Sequence, residues 1–385
     1  MVRSPSSRSA ALLDPASPAL GEQLREAWRT GALLRGALLR PTGAGQLAPG
    51  GPGHDGSESA APTPSGEAQV SLAGVGERFA AWRVVPRRGA ALIVRVPHVA
   101  PDELTQDLGQ EIAALSLLPA SIGPAPVVAH EDPATSPIGH AFVVASDVPG
   151  RAAAPEAWTD LELAAHADVL ARLHSVPAPG RGPVGLGPDP WAAVPRGAQS
   201  LLTEVEEEVA AWRSAHGPVI AEHGLEPFLE AALARVATIE QDLAALDGFV
   251  LAHGDLCATN ILWEHGAGGP TARYIDFEWA QGDDPARDLA IIGGAVHGGP
   301  WYVPLDPDQV TAFVDAYVRA RSRAGELPAS VADTASLRDR MRAWIAYERT
   351  AMLVHVASRA STRSLHRRVL PILRGTLAQE LGLPA

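Results

Sequence analysis

The chain carries a single asparagine, Asn260, in the run His253-Gly254-Asp255-Leu256-Cys257-Ala258-Thr259-Asn260, and it has no lysine at all. A composition that lacks this amide everywhere else gives the survivor a chemical role, and metal coordination supplies one. Apolar Ile261-Leu262-Trp263 follows, then a glycine-rich turn from Gly266 to Gly269, then Tyr274-Ile275-Asp276-Phe277. This pattern predicts strand, turn and strand, a hairpin that returns Asp276 to the side of Asn260. A hard divalent cation takes oxygen ligands of that kind.

The spacing Asp-x-x-x-x-Asn is that of a kinase catalytic loop, in which the aspartate takes the acceptor proton and the asparagine holds magnesium. The runs LAHGDLCATNILW and YIDFEWAQGDDPARDLA together resemble the aminoglycoside/choline kinase-like phosphotransferase family. That resemblance implies an α+β, bilobed protein-kinase-like fold, with a small β-sheet lobe and a larger, mainly helical one. It implies Asp255 as catalytic base, Asn260 and Asp276 as Mg2+ ligands, and Asp288 as a loop-stabilising carboxylate. Gly254 stands where protein kinases carry arginine, and no Ala-Pro-Glu follows Asp276. The expectation is an enzyme that acts on small molecules without activation-loop control.

Upstream, Val70 to Phe79 reads as strand, tight turn and strand, with Gly74 and Gly76 letting backbone amides approach a phosphate. Ala91 to Val96 alternates as a strand, with Leu92, Val94 and Val96 on one face and Arg95 on the other. The resemblance places Arg95 where the family grips nucleotide phosphates, with lysine or arginine. A guanidinium fork is a different group from an ammonium, yet in a chain without lysine it preserves the charge. Its expected partner is Glu111, on a helix marked by Leu104, Leu108, Ile112 and Leu115.

The apolar stretch Ala141 to Val148 is expected to link the lobes, with Ser146 and Val148 at the adenine edge of ATP or GTP. Thr159-Asp160-Leu161-Glu162 is a capping-box pattern that opens a helix running to His174. His174 reads as a packing histidine rather than a base. Cys257 reads as a packed thiol, and a lone cysteine excludes an internal disulfide. Acidic helices are expected from Leu201 to Leu246, and further helices near 308–323, 336–358 and 365–381. Trp301, Tyr302, Trp344, Tyr347 and Glu348 are candidates for an acceptor pocket.

The 385 residues suggest an extension at 1–69, mostly disordered with a possible helix over 20–39, a nucleotide-binding lobe at 70–150 and a catalytic lobe at 151–385. A formal charge of −13 speaks against a nucleic-acid partner and suits a cationic substrate. No run reaches the ~18 apolar residues of a membrane span, so a cytoplasmic protein is expected. The function implied is transfer of the γ-phosphoryl group of ATP or GTP to a hydroxyl of an aminoglycoside-like or related antibiotic. The alternatives are a choline/ethanolamine-like alcohol kinase and a non-catalytic nucleotide-binding module.

Overall fold

A computed structural model describes residues 14, 16–35, 37–38, 66–99, 108–196 and 199–384. It divides into two compact units, Met1–Leu117 with Pro124–Asp147, and Leu118–Gly123 with Val148–Ala385.

The first unit is built on a six-stranded antiparallel sheet. Its elements are α1 (Pro18–Arg29), β1 (Ala37–Leu38), β2 (Ala68–Val75), β3 (Phe79–Pro86), β4 (Leu92–Pro97), α2 (Leu108–Leu117), β5 (Pro126–His130) and β6 (Phe142–Ser146). The strands run in the order β1-β5-β6-β4-β3-β2. Period-two patterning decides which face is covered: Leu92, Val94 and Val96 are buried, while Ile93 and Arg95 are only partly so. Those three pack with Val70, Trp82, Val84, Val128, Phe142 and Val144 into one core.

Helix α1 belongs to this unit, because Leu20, Leu24 and Trp28 enter the same core, joined by Leu33. Residues 18–34 are therefore packed structure, and the helix stops at Arg29, short of the 39 expected from sequence. Gly31, at φ 72°, turns the chain out of the helix, and a 3-10 turn follows at Ala32–Leu34. Leu104 lies outside the described residues.

The second unit is mainly helical. Its elements are β7 (Arg151–Ala152), α3 (Asp160–Leu173), β8 (Pro177–Ala178), β9 (Gly182–Pro183), α4 (Leu201–Glu222), α5 (Glu226–Ala237), α6 (Glu240–Ala244), β10 (Phe249–Ala252), β11 (Ile261–Gly266), β12 (Gly269–Tyr274), β13 (Gln281–Asp283), α7 (Pro285–Ile291), β14 (Gly293–Gly294), β15 (Val303–Pro304), α8 (Pro307–Ala324), α9 (Ala329–Ala332), α10 (Thr334–Arg359) and α11 (Ser364–Leu381). The Thr159/Glu162 capping box starts α3, and α3 packs on α8. The long helix α10 packs against α4, α5, α7 and α11. Short sheets β8-β10-β13-β9 and β12-β11-β7 carry the loops between β10 and β13. Among the described residues, no helix is long and apolar enough to cross a membrane.

Candidate active site

Strand β10 ends at Ala252, and the next residues are held by one buried carboxylate. Asp288, in the first turn of α7, accepts the His253 N–H at 2.7 Å on Oδ2 and the Gly254 N–H at 2.9 Å on Oδ1. His174, the C-cap of α3, donates Nε2–H to the same Oδ2 at 3.1 Å and accepts from the Tyr317 hydroxyl at 2.9 Å on Nδ1. Burial alone would raise the Asp288 carboxyl, yet the hydrogen bonds from His174 and His253 hold it below the usual range. The expected loop-stabilising carboxylate is thus satisfied from three directions, and His174 is its support rather than a base.

Gly254 has φ 79°, and a Cβ there would lie 2.4 Å from the Trp279 carbonyl oxygen. No arginine, nor any other side chain, fits at the position where protein kinases carry one. His253 is fully buried and joins two segments: Nδ1 accepts the Asp255 N–H at 3.3 Å, and Nε2–H donates to Ile275 O at 3.0 Å.

The β11/β12 hairpin pairs Ile261 with Tyr274, and the Ile275 N–H donates to Asn260 O at 3.0 Å. The hairpin thereby brings Asp276 back beside Asn260, as the glycine-rich turn predicts. Asp276 adopts φ 68° and ψ 61°, a left-handed conformation that costs a non-glycine residue on the order of 1–3 kcal/mol and clusters at functional sites. The Asn260 Nδ2 group donates to Asp255 O at 2.8 Å and Asp255 Oδ2 at 3.0 Å, which fixes the amide's orientation and leaves Oδ1 as an oxygen ligand. An amide oxygen and a carboxylate fit Mg2+, which typically binds few protein oxygens and completes its octahedron with water and substrate phosphates. Among the described residues no group of three or more His, Cys, Asp or Glu side chains forms a metal cage.

Asp255 is half-buried. Burial and the carboxylates of Asp276, Glu348 and Glu278 push it well above the usual carboxylate range, with the Asn260 hydrogen bond opposing. Such a concentration of negative charge is the environment a divalent cation relieves. Cys257 is buried and pairs with the Thr259 hydroxyl at 3.1 Å; burial pushes its thiol up, away from the reactive thiolate.

In the first unit, Arg95 forms an ion pair with Glu111, and its guanidinium lies over the Phe79 ring, 4.5 Å from the centroid. Glu111 is only 4% exposed, deeper than a residue at the border of an apolar stripe. Gly74 and Gly76 flank the β2/β3 turn with a register irregularity between Leu72 and Gly74. A Cβ on Gly74 would meet nothing within 4 Å, and one on Gly76 only the Phe79 carbonyl oxygen at 3.5 Å. Local packing does not demand glycine here, and both backbones are open to close approach. At Ser146 the N–H donates to Ala125 O and the hydroxyl accepts from Ala125 N, both at 2.9 Å. Val148, where the chain enters the second unit again, makes no such bond among the described residues.

The aromatic candidates for an acceptor pocket divide. Trp344 is fully buried with Nε1 directed to Asp284 at 3.3 Å, and Tyr302 lies under the Arg349 guanidinium, so both are core. Tyr347 stacks on Trp212 of α4 at 6.1 Å, and Glu348 remains partly exposed while binding Arg287 at 2.9 Å. Sequence reading missed Arg181, which is buried and joins Asp283 at 2.8 Å to Glu204 at 2.7 Å. Its only signal was a cation inside a Gly/Pro tract.

A profile of the phosphotransferase enzyme family matches residues 69–328, well over half of the chain. The chain belongs to the phosphotransferase enzyme family. A viomycin phosphotransferase from Streptomyces vinaceus is 28% identical over 160 residues, which cover 40% of this chain and half the length of that relative. Among solved structures, a microcompartment-associated aminopropanol kinase has TM-score 0.52 at 18% identity, covering 81% of this chain and 91% of its own. An amicoumacin kinase in complex with AMP-PNP and Ca2+ has TM-score 0.51 at 16% identity, covering 82% and 88%. These two likenesses establish the fold, which is α+β and protein-kinase-like.

Proposed function

We propose that this phosphotransferase moves the γ-phosphoryl group of ATP or GTP to a hydroxyl of an amine-bearing antibiotic. The observation that carries the reading is the Asp255–Asn260 hydrogen-bonded pair with Asp276 returned beside it. Asp255 orients the acceptor hydroxyl and takes its proton. Asn260 Oδ1 and Asp276 hold Mg2+, which neutralises phosphate oxygens when bound. Arg95, fixed by Glu111 and Phe79, is assigned to the nucleotide phosphates, and the open backbones at Gly74 and Gly76, with the chain at Val148, to nucleotide contacts.

The acceptor is a cation because carboxylates crowd the base. Burial, Asp276, Glu348 and Glu278 raise Asp255, and burial, Glu204 and Glu348 raise Glu208. The stacked Trp212 and Tyr347 add aromatic surface for an ammonium group. The viomycin and amicoumacin enzymes support an antibiotic acceptor, while the aminopropanol kinase supports a second reading, a small amino alcohol.

Incubation with Mg2+ and ATP or GTP against aminoglycosides, peptide antibiotics, macrolides and amino alcohols tests the proposal, with phosphorylated product read by mass spectrometry. Product from antibiotics alone supports the first reading, and product from amino alcohols alone the second. Nucleotide binding without transfer to any acceptor would support a non-catalytic module and reject both.

A further inference from the structure

The second unit contains a pocket of about 480 Å³ behind the catalytic loop, within the range of small-molecule sites. Its apolar wall is Pro177, Leu246, Phe249, Val250 and Pro328, and Arg321 and His174 also line it. Arg321 lies in the last turn of α8 and is only 9% exposed. It belongs to no ion pair among the described residues, and its Nε has no hydrogen-bond partner. Two carboxylates also border the pocket, neither of them within ion-pair distance of Arg321. Asp247 is committed to the start of α9, accepting from Ala329 N at 2.8 Å and from Ser330 Oγ at 2.5 Å, and Glu326 is exposed and unpaired on the rim. A buried guanidinium outside any ion pair is costly, and a pocket with an apolar wall and one convergent cation can take the acid group of an organic anion.

We infer that this pocket binds a small organic oxyanion, its acid group on Arg321 and its apolar part against Leu246, Phe249 and Val250, and that occupancy tightens the catalytic loop. The connection is contiguous. Arg321 lies beside the Tyr317 hydroxyl, which donates to His174 Nδ1; His174 donates to Asp288, and Asp288 holds the His253 and Gly254 amides. An anion that draws Arg321 into the pocket acts on a chain of contacts that reaches the residues preceding Asp255.

Calorimetric titration and thermal unfolding of the full chain, with hexanoate and with inorganic phosphate as probes, test this without any phosphoryl-transfer assay. At about ten times Kd the melting temperature is expected to rise by about 3 °C. The rise is expected to persist in Arg321→Lys and to vanish in Arg321→Met. A response to hexanoate alone assigns an organic acid, and a response to phosphate as well assigns a free oxyanion group as sufficient. Should Arg321→Met fail to fold by circular dichroism, Ala178→Leu, which narrows the pocket and leaves the guanidinium, is expected to abolish the rise. Absence of binding by both probes, or undiminished binding in a folded Arg321→Met or Ala178→Leu protein, overturns the site. Hydrogen exchange is expected to slow at the His253 and Gly254 amides when the probe is bound, and unchanged exchange there overturns the coupling.

Discussion

The Asn260 amide nitrogen donates to both the backbone oxygen and the side-chain Oδ2 of Asp255, at 2.8 and 3.0 Å. One residue therefore positions the proposed base and presents a metal ligand. Asn260→Ala and Asp276→Ala are both expected to abolish turnover while leaving the circular dichroism spectrum unchanged. Asn260 has a second effect that Asp276 lacks: Asn260→Asp puts a carboxylate against Asp255, and excess Mg2+ is expected not to rescue it. Near-wild-type turnover in any of these at saturating Mg2+ would refute the assignment.

Asp255→Asn keeps the shape of the side chain and removes the proton acceptor. A loss in kcat of about 10²–10⁴ is expected, the usual worth of general-base assistance, with little change in nucleotide affinity. Loss of only a few-fold would make Asp255 a positioning group, since a loose transition state needs little proton removal.

Arg95 combines an ion pair with a ring contact, so its variants separate charge from geometry. Arg95→Ala is expected to raise KM for the nucleotide strongly, Arg95→Lys to retain most activity, and Glu111→Ala to lie between. Equal defects in the lysine and alanine variants would show that the guanidinium plane, not its charge, is required.

Gly254→Ala places a Cβ 2.4 Å from a backbone oxygen at φ 79°. A left-handed alanine alone costs roughly 1–2 kcal/mol, before the collision is counted. Thermal unfolding is expected to show a lower midpoint, with activity falling further than stability because the next residue is Asp255. A midpoint unchanged from wild type would contradict the backbone geometry at this turn.

Among the described residues burial depresses five imidazoles: His166 to about 3, and His130, His140, His174 and His253 below their ordinary value. A histidine whose folded pKa lies below its unfolded value of ~6.5 binds fewer protons when folded, so its contribution is present above that pH and declines below it. Denaturant titrations are accordingly expected to show stability falling from pH 6.5 toward pH 4, before most carboxylates protonate. His166→Gln is expected to flatten this slope, and an identical slope would remove His166 as a cause.

The sequence was most legible where chemistry and periodicity coincide. Asn260, Asp276 and the intervening Gly266–Gly269 turn predict their own hairpin, and Thr159 with Glu162 marks the start of α3. Legibility fails where the partner is distant in the chain. Nothing near Arg181 in sequence announces Asp283, and nothing near Trp344 announces Asp284, so a buried ion pair was missed and a core indole was read as a pocket residue. The partner of Ser146 is equally distant, its hydroxyl and amide both meeting Ala125 across the strand ends.

Helix α1 lies before residue 69, where the family match begins, yet Leu20, Leu24 and Trp28 fill the core beneath Trp82, and Gly21 packs so closely on that indole that a methyl group would collide at 2.9 Å. The segment recognisable by kinship and the segment that folds as a unit are therefore different lengths of chain. During synthesis α1 emerges before any strand it needs, and its apolar face stays unsatisfied until β2 and β3 are made. An expression boundary drawn at residue 69 would strip the sheet of one wall.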